Sequence, residues 1–328
     1  MKKAVTDMRY TFIIGVIRAM EARLLTTDFF SKLIKANSLE GAYDLLKGTE
    51  YSEFISSDID SIENIMKGKN QWLFDFIEKY SFHHHISSLL RLEYDYHNCR
   101  ILLKEKIFEI ELSDNLLDYG TIDKKTIISI FEKEEYFLFS EIMERSLVDA
   151  VEKYYETKNS LVIDLILDRG LMMDLLKISE NLNSPIIIDF YKGKIDCFNF
   201  QILSRLQGKV SKNIRDLLFM RGGSIEESQF IDLIESTLDD AISLAFRYDL
   251  SLIMEALKAF SSERFALEKA TDTYLKSILH QTQYSIFGVE PFFAFGQYVN
   301  MELKNLQLII GALKSGAEAE WIEKRISK

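Results

Sequence analysis

The chain has 328 residues, 47% of them hydrophobic and 12% aromatic, which requires a buried core and excludes the disordered and linker classes. Forty Lys and Arg against 51 Asp and Glu leave a net charge of -11, which repels phosphate backbones and anionic headgroups and makes nucleic acid an unsuitable partner. The length exceeds one ordinary domain.

From the N-terminus, Met1-Lys2-Lys3 precedes an apolar stretch, Phe12 to Ile17, that Gly15 interrupts and Arg18 ends, too short for a secretory signal. No later run approaches the ~18 apolar residues of a membrane span, so direct membrane insertion is not expected. Cys99 and Cys197 lie far apart in apolar surroundings and read as small buried thiols of a reducing, intracellular compartment. Only two prolines and fourteen glycines occur, which predicts long uninterrupted helices.

A pattern of acid, two residues, Asn, one residue, Arg or Gln and two aliphatics recurs three times. It reads Asp95-x-x-Asn98-x-Arg100-Ile101-Leu102, then Asp196-x-x-Asn199-x-Gln201-Ile202-Leu203, then Glu302-x-x-Asn305-x-Gln307-Leu308-Ile309, at intervals of about 100 residues. Pro185 and Pro291 each stand fourteen residues before their asparagine, where proline suits the first turn of a helix, and His84 holds that place in the first copy. Gly120-Thr121-Ile122-Asp123 recurs as Gly223-Ser224-Ile225-Glu226, read as glycine, an N-cap hydroxyl and an acid in the first turn, with no clear counterpart in the first copy. These registers predict three helical repeats, 1–110, 111–215 and 216–328.

Within the repeats the period is helical. Val299, Leu303, Leu306, Ile310 and Leu313 share one face, as do Leu92, Tyr96, Cys99 and Leu103 in the first copy, whereas the second copy has Gly193 and Ser204 at two such places. The acid and the asparagine run beside this stripe. Asparagine is unfavourable in mid-helix, so its recurrence implies a definite hydrogen-bond partner. Two readings follow: the pair locks each terminal helix against its own repeat, or it lines a surface shared with a partner. Asp164–Leu176, Phe230–Leu244 and Phe265–Leu279 also read as amphipathic helices, and Ile186-Ile187-Ile188 leads into a helical stripe. The expected class is all-α, three tandem helical repeats whose packing tends toward pseudo-threefold symmetry around an axial cavity.

No catalytic, cofactor or metal constellation is expected. Gly208-Lys209 is followed by Val210 and lacks the preceding glycine of a phosphate-binding loop. His83-His84-His85 has no Cys or Glu at ligand spacing and reads as a surface cluster at a helix start, and no histidine follows a glutamate by three, as a helical di-iron site requires. Glu132-Lys133-Glu134-Glu135 reads as a solvated face. Such a body is built to hold a partner.

Tyr10-x-x-x-x-x-x-x-Arg18-Ala19-x-Glu21-x-x-Leu24-Leu25, then Leu45-x-x-x-Thr49-x-Tyr51, resembles the opening of the C subunit of A/V-type rotary ATPases, called d in the eukaryotic vacuolar enzyme. Tyr94-Asp95-x-x-Asn98 resembles its first-repeat helix, and Pro291 to Ile326, with Glu302, Asn305, Ile309 and Trp321-Ile322, its C-terminal segment. Gln201 and Gln307, where the first copy has Arg100, and Gly15 in the first helix depart from the pattern. The resemblance implies a funnel-shaped, non-catalytic central-stalk adaptor, one copy per complex, peripheral on the cytoplasmic face of the membrane. Its implied partners are the coiled-coil stalk subunit with its small companion and the membrane rotor-ring subunits, in H⁺ or Na⁺ transport. Arg18 and Glu21, at i and i+3, either pair internally or face a partner. Two alternatives stand beside this: a generic helical-repeat scaffold of another complex, and a helical enzyme using Asp95, Asp196 and Glu302, which predicts turnover abolished by Asp95→Asn.

Overall fold

Helices begin where proline or a capping side chain dictates. The computed structural model describes residues 8–36, 38–55, 61–206, 212–263 and 265–326; the Gly208-Lys209-Val210 segment lies outside them. In chain order the α-helices are α1 (Thr11–Glu21), α2 (Thr27–Ile34), α3 (Leu39–Leu46), α4 (Ser61–Tyr80), α5 (His84–Phe108), α6 (Lys124–Lys133), α7 (Glu141–Thr157), α8 (Leu161–Leu182), α9 (Pro185–Arg205), α10 (Glu227–Asp232), α11 (Leu238–Arg247), α12 (Ser251–Ala259), α13 (Ala266–His280), α14 (Glu290–Lys314) and α15 (Ala319–Arg325). No strand occurs among the described residues, so the all-α expectation holds.

The three long helices that carry the recurring acid and asparagine start in one register. α9 starts at Pro185, α14 places Pro291 in its first turn, and α5 starts at His84, the position that proline holds in the other two copies. The N-cap expectation is corrected by two residues. Asp123 caps α6, accepting the N–H groups of Lys125 and Thr126, and Glu226 stands at the N-cap of α10, whereas the hydroxyl of Thr121 is engaged elsewhere. Phe230–Leu244 is not one helix. Thr237 and Asp240 form a capping box that starts α11 afresh, so α10 stops at Asp232 although the apolar period continues across the break. α7 and α8 end on left-handed residues, Lys158 and Asn183, which turns the chain sharply and lets the two helices pack as neighbours.

The chain divides into two compact units, residues 1–87 with 279–328, and residues 88–278. In the first, α14 lies against α1, α3 and α4, and aromatic rings fill the space between them. Tyr10, fully buried, meets Phe82 and Phe292 edge-on at 5.1 and 5.0 Å, while Phe76 stacks on Trp72 and meets Phe295. The Tyr10 hydroxyl accepts the Phe82 N–H, which ties the entry of α1 to the end of α4.

In the second unit α8 is largely buried, with Val162, Ile163, Leu167, Gly170 and Leu175 inside and Met173, Lys177 and Glu180 exposed. Asp174 on α8 is almost fully buried, and it is held by the Tyr96 hydroxyl of α5 (2.7 Å) and the Ser140 hydroxyl ahead of α7 (2.6 Å). Further along, Phe230 stacks on Phe219 and meets Phe200 edge-on, at the centre of a cluster that also contains Leu244, Ile253 and Leu257. The departures at the Arg100 position follow their neighbours: Arg100 reaches Asp164 and Asp168 on α8, whereas Gln201 donates to the Thr271 hydroxyl at 2.8 Å. Both cysteines are free and buried, and burial pushes the Cys197 thiol up to about 12.

Candidate functional site

The recurring acid–asparagine pair lies on the buried flank of each long helix: Asp95, Asn98 and Asn199 are 0–2% exposed together with Asp196, and Glu302 and Asn305 are 6% and 7% exposed. A carboxylate in such a place is costly unless donors surround it. The donors are chiefly backbone N–H groups of a segment 26 to 29 residues further along the chain. Thr121 donates to Asp95 through its N–H (3.0 Å) and its hydroxyl, and the Ile122 N–H donates to the other oxygen (3.2 Å). In the second copy the Ser224 N–H (2.9 Å) and Ile225 N–H (3.1 Å) donate to the two oxygens of Asp196.

The asparagine completes the lock. Asn98 donates to the Leu117 carbonyl and accepts the Leu117 N–H, both at 2.8 Å, and Asn199 does the same with Met220 at 3.0 and 2.8 Å. A side-chain amide carries a donor and an acceptor side by side and so answers a backbone N–H and C=O at once, as a strand partner would. Each of these two locks therefore reaches forward along the chain, from Asp95 and Asn98 to residues 117–122 and from Asp196 and Asn199 to residues 220–225.

Glu302 does the same from the end of the chain to its beginning. It accepts the Leu25 N–H (2.5 Å) and, on its other oxygen, the Tyr51 hydroxyl (2.5 Å). Leu25 immediately precedes Thr26, the N-cap of α2, as Ile122 precedes Asp123 and Ile225 precedes Glu226. The missing counterpart in the first copy is thus Arg23-Leu24-Leu25-Thr26. It escaped the sequence because the glycine is absent. A Cβ at Gly120 or Gly223 would press into the carboxylate of Asp95 or Asp196, so those positions must be glycine; Arg23, at the equivalent place, keeps its side chain and pairs with Glu50.

Burial raises all three carboxyl groups above the usual carboxylate range, against the opposing pull of their donors; Asp196 is pushed up to about 6. Burial, and then the Glu302 charge, raises Tyr51 well above its ordinary value. Folded Asp196 holds its proton more tightly than the unfolded chain does, so its contribution to stability grows as pH falls from above 6 toward 4. Between pH 7 and pH 5 the stability of the native chain relative to Asp196→Asn is expected to rise by about 1.4 kcal/mol, measurable as paired urea titrations; a difference independent of pH would contradict this.

Arg18 and Glu21 pair on α1 at 2.7 Å, and the same guanidinium donates to the carbonyls of Thr282 and Ser285, fastening the turn before α14 to α1. Sequence reasoning missed these carbonyls, which lie more than 260 residues away. Thr49 accepts the Tyr51 N–H and so aims that ring. The N-terminal motif residues Tyr10, Arg18, Leu25, Thr49 and Tyr51 are all fasteners of the first unit. His83 stacks on Tyr10, and His84 starts α5. Among the described residues no group of three or more His, Cys, Asp or Glu side chains is arranged to hold a metal ion.

The chain is 23% identical to the C subunit of the V-type sodium ATPase of Enterococcus hirae over 97% of its own length and 98% of the relative's. It is 23% identical to the C subunit of the A-type ATP synthase of Methanocaldococcus jannaschii, covering 94% of this chain and 84% of that one, and 22% identical to that of Thermococcus kodakarensis, covering 97% and 90%. The family model described as ATP synthase (C/AC39) subunit matches residues 13–325, and with a match of that extent the chain belongs to this family.

Proposed function

We propose that this chain is the central-stalk adaptor of an A/V-type rotary ATPase. It performs no reaction. One copy per complex receives the foot of the coiled-coil stalk subunit and its small companion, and sits on the cytoplasmic side of the membrane rotor ring, so that rotation is transmitted between shaft and ring during H⁺ or Na⁺ transport. The observation that carries this reading is the threefold recurrence of the acid lock, completed by an asparagine at Asn98 and Asn199. A part that transmits torque must not shear between its repeats, and each lock ties a long helix to the opening of another repeat through several hydrogen bonds out of water. In this reading the repeats 1–110, 111–215 and 216–328 form a funnel, and Asp95, Asn98, Asp196, Asn199, Glu302 and Asn305 stiffen it.

The relatives' names supply the context, since they are subunits of A- and V-type complexes and one belongs to a sodium ATPase. No helix among the described residues is long and apolar enough to cross a membrane, which suits a peripheral place. The test is reconstitution with purified stalk subunits and detergent-solubilised rotor ring. The protein is expected to bridge the two; binding to neither returns it to the generic-scaffold class. Turnover by the isolated chain that Asp95→Asn abolishes would instead establish the helical enzyme.

A further inference from the structure

In the second unit a trough of about 560 Å³ lies between α7 on one side and residues 216–221 on the other, with α8 as its floor. It follows α7 from Glu141 to Glu156, four helical turns or about 22 Å. Its floor is apolar: Ile142, Ile166 and Leu217 line it, together with Met173, whose side chain is 45% exposed. The floor is deepest at Gly170, which has no side chain because the Ser146 hydroxyl occupies the space a Cβ would take.

The charges around the trough do not balance. Every base on it is already engaged: Arg145 with Glu141, Lys153 with Glu156, and Arg169 and Arg221 both with Glu227. Asp149 and Glu152, one turn apart on the α7 rim, have no ion-pair partner among the described residues, whereas on the opposite rim Glu227 and Asp216 stand against Arg169 and Arg221. Uncompensated negative charge thus stands along the α7 rim, beside an apolar floor on which Met173 is exposed. Both walls and floor are helical or turn backbone with no free sheet edge, so an extended strand has no ladder to join, whereas a helix needs only side-chain contacts.

We propose that this trough is a docking groove for an amphipathic helix whose apolar stripe is flanked by Lys or Arg. The stripe covers Ile166 and Met173, and the flanking cations reach Asp149 and Glu152 on the α7 rim. Exposed ion pairs are individually weak, so they set orientation and choice of partner while the apolar floor supplies most of the contact.

The test uses the full chain and two synthetic 18-residue helical peptides, one of Leu and Lys and one of Leu and Glu, in fluorescence anisotropy at physiological salt. The Leu/Lys peptide is expected to bind and the Leu/Glu peptide not to. Asp149→Lys with Glu152→Lys should weaken binding at least tenfold, while Glu53→Lys with Glu132→Lys, exposed acids outside the trough, should change it less than twofold. Equal loss in both double variants, or no loss in the first, overturns the proposal. Because charge reversal can unsettle a helix, the native protein supplies a second readout. With methyl-labelled methionine, the Met173 resonance should shift on adding the Leu/Lys peptide, and an unmoved resonance at saturation equally overturns the proposal.

Discussion

Asn199→Ala is expected to lower the free energy of unfolding by about 2–5 kcal/mol, measured by urea denaturation. The side chain is fully buried, and its amide answers both the N–H and the C=O of Met220, which is itself 4% exposed. Truncation leaves a backbone donor and acceptor without partner or water, and each such orphan costs about 1–3 kcal/mol. Asn199→Asp separates the two halves of the effect: it keeps the acceptor for the Met220 N–H, loses the donor to the carbonyl, and places a second carboxyl group three residues from the buried Asp196. It should be at least as damaging at pH 7 and milder at pH 5. A loss below about 1 kcal/mol for the alanine variant would mean that the lock is no more than a surface contact.

Gly223→Ala is expected to destabilise by about 2–4 kcal/mol, and its sign is the informative part. Where space and conformation allow, Gly→Ala stabilises by about 0.4–1 kcal/mol, because alanine has fewer unfolded conformations to lose. At position 223 the new methyl meets the Asp196 carboxylate, which is 2% exposed and has nowhere else to find donors. Displacing it breaks the bonds to Ser224 and Ile225. Gly15→Ala in α1 and Gly311→Ala in α14 are the controls, since nothing lies within 4 Å of either added methyl. Both should stabilise. The double variant Gly223→Ala with Asp196→Ala should cost less than the sum of the two single changes, because the clash and the carboxylate are removed together; strict additivity would show that the glycine matters for another reason.

Much of the architecture was legible beforehand. The buried stripes on α5 and α14 follow from period alone, since Leu92, Tyr96, Cys99 and Leu103, and Val299, Leu303, Leu306 and Ile310, are buried as their spacing requires, with Leu313 at the end of α14 half-buried. The break at Ser236-Thr237 was not, because the apolar period runs through it and the capping box that interrupts it is a matter of side-chain geometry. The glycine that recurs before two of the locks, Gly120 and Gly223, was visible but misread, as turn chemistry ahead of an N-cap rather than as room for a carboxylate.

What the sequence determined by itself is what acts within a few residues: helical class, the starts of α5, α9 and α14 in one register, and a polar pair at the same place in each copy. Prolines, caps and apolar spacing operate over one or two turns, so no knowledge of distant neighbours is needed. Tertiary structure alone decided which groups those pairs meet. Asp95 reaches 26 residues forward to Thr121, and Glu302 reaches 277 residues back to Leu25. A hydrogen bond depends on which surfaces come together in space, and periodicity states which face of a helix is turned inward but not what it will find there.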